Sequence, residues 1–109
     1  MPKLVLRFEK YLDPERVFEI LRERARSLSG VITRAGSEGE YNYMGNHVRV
    51  EVDPHGVTFS FLDSGIDPLM RPLESFARGV GEEYGRPEVG LGLPDDKKAV
   101  WAGRFRNLF

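Results

Sequence analysis

The segment YNYMGNHVRVEVDPHGVTFSF, residues 41–61, decides the fold because two turn signals divide it into three runs of strand-forming residues. The dipeptide Gly45-Asn46 suits a two-residue hairpin loop between the first two runs. The predicted cross-strand pairs are Met44 with His47, Tyr43 with Val48, and Tyr41 with Val50. Tyr41, Tyr43, Val48 and Val50 then share one apolar face.

The second turn signal is Asp53-Pro54-His55-Gly56, and the alternation of side chains selects its loop length. A four-residue loop pairs Val52 with Val57, Val50 with Phe59, and Val48 with Phe61. A three-residue loop would place Phe59 opposite Glu51, and a slip of one residue turns every side chain to the other face. The apolar pattern therefore predicts the four-residue loop and a continuous apolar face on three strands.

The same segment contains a histidine beside an aspartate, which raises the alternative of a catalytic pair. Asp53 at the turn start, Pro54 next and Gly56 at the end are turn residues, so we interpret the segment as a turn. A catalytic base needs an orienting partner and a shielded pocket, and we expect His55 at an exposed tip with neither.

Upstream of this meander, Leu4, Leu6 and Phe8 alternate with other residues, most of them charged, in a first strand with one buried face. A helix is predicted over residues 14–29, with Asp13 as its N-cap and Pro14 at its first position. Residues 31–35 and 40–44 flank the segment GSEG and indicate a further hairpin.

Downstream, Asp67 and Pro68 indicate the start of a second helix, which Pro72 should kink or restart. The glycines and prolines of residues 85–96 indicate a loop. The tail AVWAGRFRNLF alternates aromatic and basic residues, and we expect it to form a closing strand. The predicted fold is a single α+β domain over residues 1–109, in the order β-α-β-β-β-β-α-β, with two helices on one face of a mainly antiparallel sheet. The position of the first strand in that sheet stays open.

Composition and charge restrict the function. Apolar residues form 40% and charged residues 30% of the 109-residue chain, which is typical of a globular protein. No apolar run is long enough to span a bilayer, so we expect no membrane association, and the amino terminus lacks the pattern of a signal peptide, so we expect a cytoplasmic protein. The absence of cysteine excludes disulfides and thiolate metal sites. Glutamine is absent and charges are many, which suggests a thermophilic source.

Motifs for catalysis, cofactors and metals are missing. The segment GVGEEYG has the wrong glycine spacing for a dinucleotide fingerprint and follows a helix. Asp63 and Asp67 are explained by strand termination and helix capping. The sequence therefore indicates no catalytic residue, cofactor or metal, and an enzyme is not favoured.

A nucleic-acid surface is one alternative function. Its candidate contacts are Lys3, Arg7, Arg49, Arg104 and Arg106. The net charge of −1 lacks the basic excess typical of such proteins, and the register turns the meander aromatics inward rather than outward for base stacking.

A second alternative is a small-molecule enzyme or carrier with a pocket between the sheet and the helices. Its candidate polar groups are Tyr41, Tyr43, Arg71 and Tyr84. An aromatic cluster more often forms core than pocket.

The favoured function is a small, non-enzymatic and homo-oligomeric interaction protein. It would bind a protein partner through a sheet face or edge and through the aromatic C-terminal segment. Met44, His47 and Leu62 are predicted to form an apolar patch at one end of the sheet. Such a patch suits a homodimer, and Leu62→Asp or Met44→Asp would dissociate it without unfolding the chain.

Overall fold

The computed structural model describes residues 1–109 as one six-stranded antiparallel sheet with three helices. The strands are β1 (Lys3–Arg7), β2 (Val31–Ala35), β3 (Glu38–Tyr43), β4 (Asn46–Asp53), β5 (Gly56–Phe61) and β6 (Glu88–Gly92). The helices are α1 (Pro14–Arg26), α2 (Ile66–Tyr84) and α3 (Asp95–Arg106), and a short 3-10 turn, Asp63–Gly65, leads into α2. The strand order is β2-β3-β4-β5-β1-β6, so β2 and β6 are the edges. The predicted α+β class with a mainly antiparallel sheet is confirmed.

The register between β4 and β5 is the one that the sequence predicts. The observed pairs include Val48 with Phe61, Val50 with Phe59, and Val52 with Val57. The ladder extends by one pair, Asp53 with Gly56, so that only Pro54 and His55 lie outside it. The apolar alternation excludes any one-residue slip, which would expose buried aromatics, and the turn residues 53–56 set the loop length.

The predicted register of the β3–β4 hairpin is wrong by two residues. Tyr41 lies opposite Val48 and Tyr43 opposite Asn46, so the loop residues are Met44 and Gly45. Both have positive φ, 50° and 81°, as a tight hairpin turn of this length requires. The same side chains stay on the same face, because a shift of two residues preserves the alternation of a strand.

All three helices pack on the inner face of the sheet, which carries Tyr41, Phe59 and Phe61. Phe76 of α2 contacts Tyr41 edge-on, with ring centroids 4.9 Å apart, and lies parallel to Phe59. Trp101 of α3 stacks on Phe61 at 5.8 Å. The opposite face of the sheet carries no helix, so the two predicted helices and one more share a single side.

The first two helices largely follow their sequence signals. Asp13 is the N-cap of α1, and its side chain accepts a hydrogen bond from the Glu15 N–H at 3.1 Å. The helix ends at Arg26, three residues before its predicted end. α2 begins at Ile66 after Gly65, so the predicted N-cap Asp67 lies inside the first turn and does not cap the helix. The helix continues through the buried Pro72, so no restart occurs. The N–H that this proline lacks would bond to Pro68 in the first turn, where a single lost bond is tolerated.

The tail is a helix, and the closing strand predicted there is wrong. α3 begins after Pro94 with two aspartates in its first turn and ends with Arg104 and Arg106 in its last. Acidic residues at the start and basic residues at the end both stabilise a helix through its dipole. Trp101 and Phe105 are four residues apart, a spacing that places them on one face of a helix or of a strand, so the aromatic pattern alone was ambiguous.

The segment predicted as a loop over residues 85–96 contains the sixth strand. β6 pairs with β1, so β1 lies between β5 and β6. The sequence pattern leaves this position of the first strand open. Gly90 and Gly92 weaken a strand by propensity, and the pairing with β1 outweighs that preference. None of the helices is long and apolar enough to cross a bilayer.

Candidate functional site

The hydrogen bonds of β1 show which main-chain groups of the sheet are free at the β6 edge. The Phe61 N–H donates to the Pro2 carbonyl at 3.0 Å, and the Phe8 N–H donates to the His55 carbonyl at 2.8 Å. In an antiparallel ladder the residues that bond to one neighbour alternate along the strand. The even-numbered residues of β1 therefore bond to β5, and its odd-numbered residues bond to β6.

The odd-numbered residues of β1 face Glu88, Gly90 and Gly92 of β6. Val89 and Leu91 lie between these positions, so their N–H and C=O groups point away from the sheet. Their side chains lie on the inner face, where both are half-buried against the core. β6 is thus an open edge whose two free residues combine unpaired main-chain groups with apolar side chains.

A hollow in which five of the eight lining residues are hydrophobic adjoins this edge, between β6 and α3. Its volume is about 250 Å³. The residues that line it are Arg86, Pro87, Val89, Leu91, Ala102, Phe105, Arg106 and Phe109. An open strand beside an apolar groove and a helix is the arrangement in which proteins bind extended segments as an added strand.

Two arginines flank the hollow and carry its charge. Arg86 precedes β6 and Arg106 ends α3, and neither is among the arginines paired with carboxylates. The site therefore presents positive charge at one end of an apolar groove.

The opposite edge of the sheet is protected by an inward charge. In β2, Arg34 lies on the inner side, with its guanidinium 5.7 Å from the centre of the Phe18 ring. An inward-pointing charged residue is one of the devices that prevent a sheet edge from pairing with another chain. The corresponding inward residues of β6, Val89 and Leu91, are apolar, so β6 lacks this protection.

The candidate nucleic-acid contacts lie on the surface, and most are neutralised. Arg7 pairs with Asp53 at 3.0 Å, and Arg49 pairs with Glu38 at 3.0 Å. Arg104 pairs with Glu74 at 2.8 Å, whereas Arg106 lies at the hollow beside β6. These arginines are spread over the sheet and α3, and the structure does not bring them into one basic patch.

A larger hollow of about 470 Å³ lies along the β2–β3 hairpin and includes Arg49. It is wide open to solvent, and only one of its seven lining residues is hydrophobic. Arg49 pairs there with Glu38, and Glu40 lies beside His47, so three of the four charged side chains of this hollow already have partners.

The tyrosines proposed for a pocket make contacts within the fold. Tyr41 is fully buried, and its hydroxyl donates to the Ser29 carbonyl at 2.6 Å. The hydroxyl of Tyr84 accepts a hydrogen bond from the Asp13 N–H at 3.2 Å. Tyr43 is half-buried against the core, and Arg71 is exposed on α2. The structure does not bring these four groups together around one cavity.

The predicted apolar patch lies at the end of the sheet where β3 turns into β4 and β5 ends. Met44 and Leu62 are exposed, at 77% and 62% of their surface. His47 is also exposed, with Nε2 3.4 Å from a carboxylate oxygen of Glu40. The patch is small and part of its surface is polar.

His55 lies in a turn, as interpreted, but it is half-buried rather than exposed. Asp53 Oδ1 accepts a hydrogen bond from the His55 N–H at 2.9 Å, which is the expected turn contact. The imidazole Nδ1 lies 3.1 Å from the Phe8 carbonyl, and the ring packs on Tyr11 with centroids 4.6 Å apart. The histidine therefore fastens the turn to the segment after β1. No group of three or more histidine, aspartate and glutamate side chains with the geometry to hold a metal ion is present.

Val89, Leu91 and Arg86 are not predicted as site residues from the sequence, because the glycine-rich segment around them indicates a loop. The signal that would have found them is the alternation of Val-Gly-Leu-Gly between Pro87 and Pro94, a short strand with apolar residues on one face and none on the other. Neither the scan against protein-family models nor the search of curated proteins found a match, so the assignment of this site rests on its own geometry.

Proposed function

We propose that this protein is a small interaction protein that binds a segment of a protein partner as an additional strand at the free edge of β6. The observation that carries the proposal is the coincidence, at Val89 and Leu91, of free main-chain groups with an adjoining apolar hollow. An added strand would gain main-chain hydrogen bonds from the edge and place alternate side chains against the hollow. The aromatic helix α3 forms the wall of this groove.

The charges around the groove also favour a protein segment over a nucleic acid. An arginine pair beside an apolar floor suits a peptide that carries an apolar residue and a carboxylate. Nucleic-acid binding would need several free cations along one surface, whereas Arg7, Arg49 and Arg104 are paired with carboxylates.

The proposal is tested by selecting displayed random peptides on the wild-type chain at high dilution, so that self-association does not cover the β6 edge. Binding of the selected peptides to edge variants is then measured. Leu91→Pro removes the free edge N–H, so we expect selected peptides to lose about tenfold or more in affinity. Leu91→Ala loses side-chain contacts but keeps the N–H, and should lose less.

Ile32→Pro is the matched control at the other edge of the sheet. The Val52 N–H donates to the Ser37 carbonyl, and the same alternation gives Ile32 an outward N–H on β2. Ile32 is also half-buried, so it matches Leu91 in both respects. Peptides that bind Leu91→Pro as tightly as the wild type, or that lose affinity only for Ile32→Pro, would reject β6 as the docking strand.

A further inference from the structure

We infer that the occupant of the β6 edge is a second copy of this chain, related by a two-fold axis that passes beside Gly90. This inference rests on the proposed function, because it identifies the partner of the same edge. The two six-stranded sheets would then form one continuous sheet. Three features of β6 and α3 are complementary to the same features of a second copy rotated about this axis.

The first feature is the hydrogen-bond pattern of the strand. Antiparallel pairing centred on Gly90 sets Val89 opposite Leu91 of the second copy, and Leu91 opposite Val89. These are the residues with free N–H and C=O groups, so both pairs exchange two main-chain hydrogen bonds. Their side chains extend the apolar inner face without interruption across the two copies.

The second feature is the space on the outer face. The two Gly90 residues would meet as a pair without mutual hydrogen bonds, which is the closest approach in an antiparallel ladder, about 4.5 Å between Cα atoms. Glu88 would lie opposite Gly92 of the second copy, so no like charges meet. Glycine weakens an isolated strand, but its lack of a side chain permits this close approach.

The third feature is the charge along α3. Ala102 and Arg106 line the hollow at the free edge, and helical spacing adds Ala99 and Asp95 to the same stripe. In a two-fold arrangement the helices run antiparallel, so the acidic start of one meets the basic end of the other, Asp95 with Arg106. Small alanines occupy the middle, where the helices pass.

The position of α3 along β6 allows the strand pair and the helix pair to share one two-fold axis. From Gly92 back to Gly90 the strand spans about 7 Å. From Asp95 to the point midway between Asp95 and Arg106, α3 spans a similar distance of about 8 Å. Since α3 folds back along β6, both midpoints lie near the same level.

Charge reversal tests this arrangement by sedimentation. We expect the wild type to sediment as a dimer, and Asp95→Arg or Arg106→Asp to raise the dimer Kd about tenfold or more, because each variant sets like charges together twice. An equimolar mixture of the two variants restores both opposite-charge contacts and should dimerise as the wild type does. Asp96→Arg is the matched control for the effect of charge on the helix terminus, and should leave the dimer intact.

Crosslinking provides a second measurement that does not depend on weakening the fold. The chain contains no cysteine, and a Cβ at Gly90 would meet only Val5, at an ordinary contact distance of 3.6 Å. Gly90→Cys should oxidise to a disulfide-linked dimer under mild copper catalysis, because the expected Cα separation permits a disulfide. Thr33→Cys, central on the β2 edge, should not.

A monomer at high concentration together with no crosslink at Gly90 would overturn the inference. So would a dimer that both charge reversals leave unchanged and that Met44→Asp or Leu62→Asp dissociates, since the apolar patch would then be the interface. If the wild type is monomeric while selected peptides bind in a manner sensitive to Leu91→Pro, the self-association is wrong and the proposed function stands. If neither a dimer nor such peptides are found, both are wrong.

Discussion

At the scale of single residues, Phe59 is the most demanding test of the meander register. It lies opposite Val50 and also pairs with Leu4 of β1, and its ring is fully buried parallel to Phe76. We expect Phe59→Ala to lower the free energy of unfolding by about 3–5 kcal/mol through lost burial and a cavity. Urea unfolding followed by circular dichroism measures this change, and a loss below about 1 kcal/mol would contradict the packing described.

Tyr41 gives the fold a dependence on alkaline pH. Burial raises the pKa of Tyr41 from 10.0 to about 12, and the neighbouring Tyr43 adds to the shift. The folded chain therefore keeps a proton that the unfolded chain releases, so stability is full below the unfolded pKa of 10.0 and falls as pH rises toward about 12. The fall is on the order of 1.4 kcal/mol for each pH unit in that window.

Tyr41→Phe removes this ionisation together with the hydrogen bond to the Ser29 carbonyl. We expect the variant to be about 1 kcal/mol less stable near neutral pH and to show a shallower loss above about pH 10. Denaturant unfolding over this pH range measures both effects. Tyr11→Phe is the control, since Tyr11 is 78% exposed. An alkaline slope that Tyr41→Phe leaves unchanged would assign the loss to other groups.

At the scale of elements, the attachment of α3 depends on aromatic packing and on one ion pair to α2. Trp101 stacks between Phe61 and Phe105, with ring centroids at 5.8 and 5.6 Å. Arg104 Nη2 lies 2.8 Å from Glu74 Oε1, and the Glu74 side chain is only 15% exposed. That buried oxygen has no well-aligned hydrogen bond, so the contact acts through charge. Arg104 thus holds two helices together.

Arg104→Ala should cost about 1–3 kcal/mol, because it leaves a largely buried carboxylate unpaired. The double variant Arg104→Ala/Glu74→Leu should recover part of that loss by removing the stranded charge. Fluorescence of Trp101, the single tryptophan, reports on α3 during urea unfolding. Arg22→Ala, on the exposed face of α1, is the control. A double variant as unstable as the single one would show that the ion pair is not the cause.

At the scale of the whole molecule, the distribution of charge opposes nucleic-acid binding. The net charge is −1, and the arginines on the sheet and on α3 are mostly paired with carboxylates. We expect single-stranded RNA or DNA to bind no more tightly than about 100 µM at physiological salt, close to non-specific binding. Fluorescence anisotropy with labelled oligonucleotides measures the affinity. Micromolar binding that weakens steeply with salt and is abolished by Arg49→Glu would instead support the nucleic-acid alternative.

The sequence by itself determined the α+β class, the first two helices and the β4–β5 pairing. The reason is local: alternation along a strand excludes one-residue slips, and the turn residues Asp53-Pro54-His55-Gly56 set the loop length, so Val48, Val50 and Val52 meet Phe61, Phe59 and Val57. The β3–β4 register was beyond the same rule, because a shift of two residues keeps every side chain on its face. There the positive φ of Met44 and Gly45 decided the turn.

Only the tertiary structure decided the position of β1, the strand character of Glu88–Gly92 and the helix of the tail. Gly90 and Gly92 have no strand preference of their own, and the ladder with β1 supplies it. Trp101 and Phe105 fit one face of either element, and their packing on Phe61 beside α2 selects the helix. The candidate site follows from these same non-local contacts, since an edge exists only once the order of strands is set, and no local pattern in the sequence records that order.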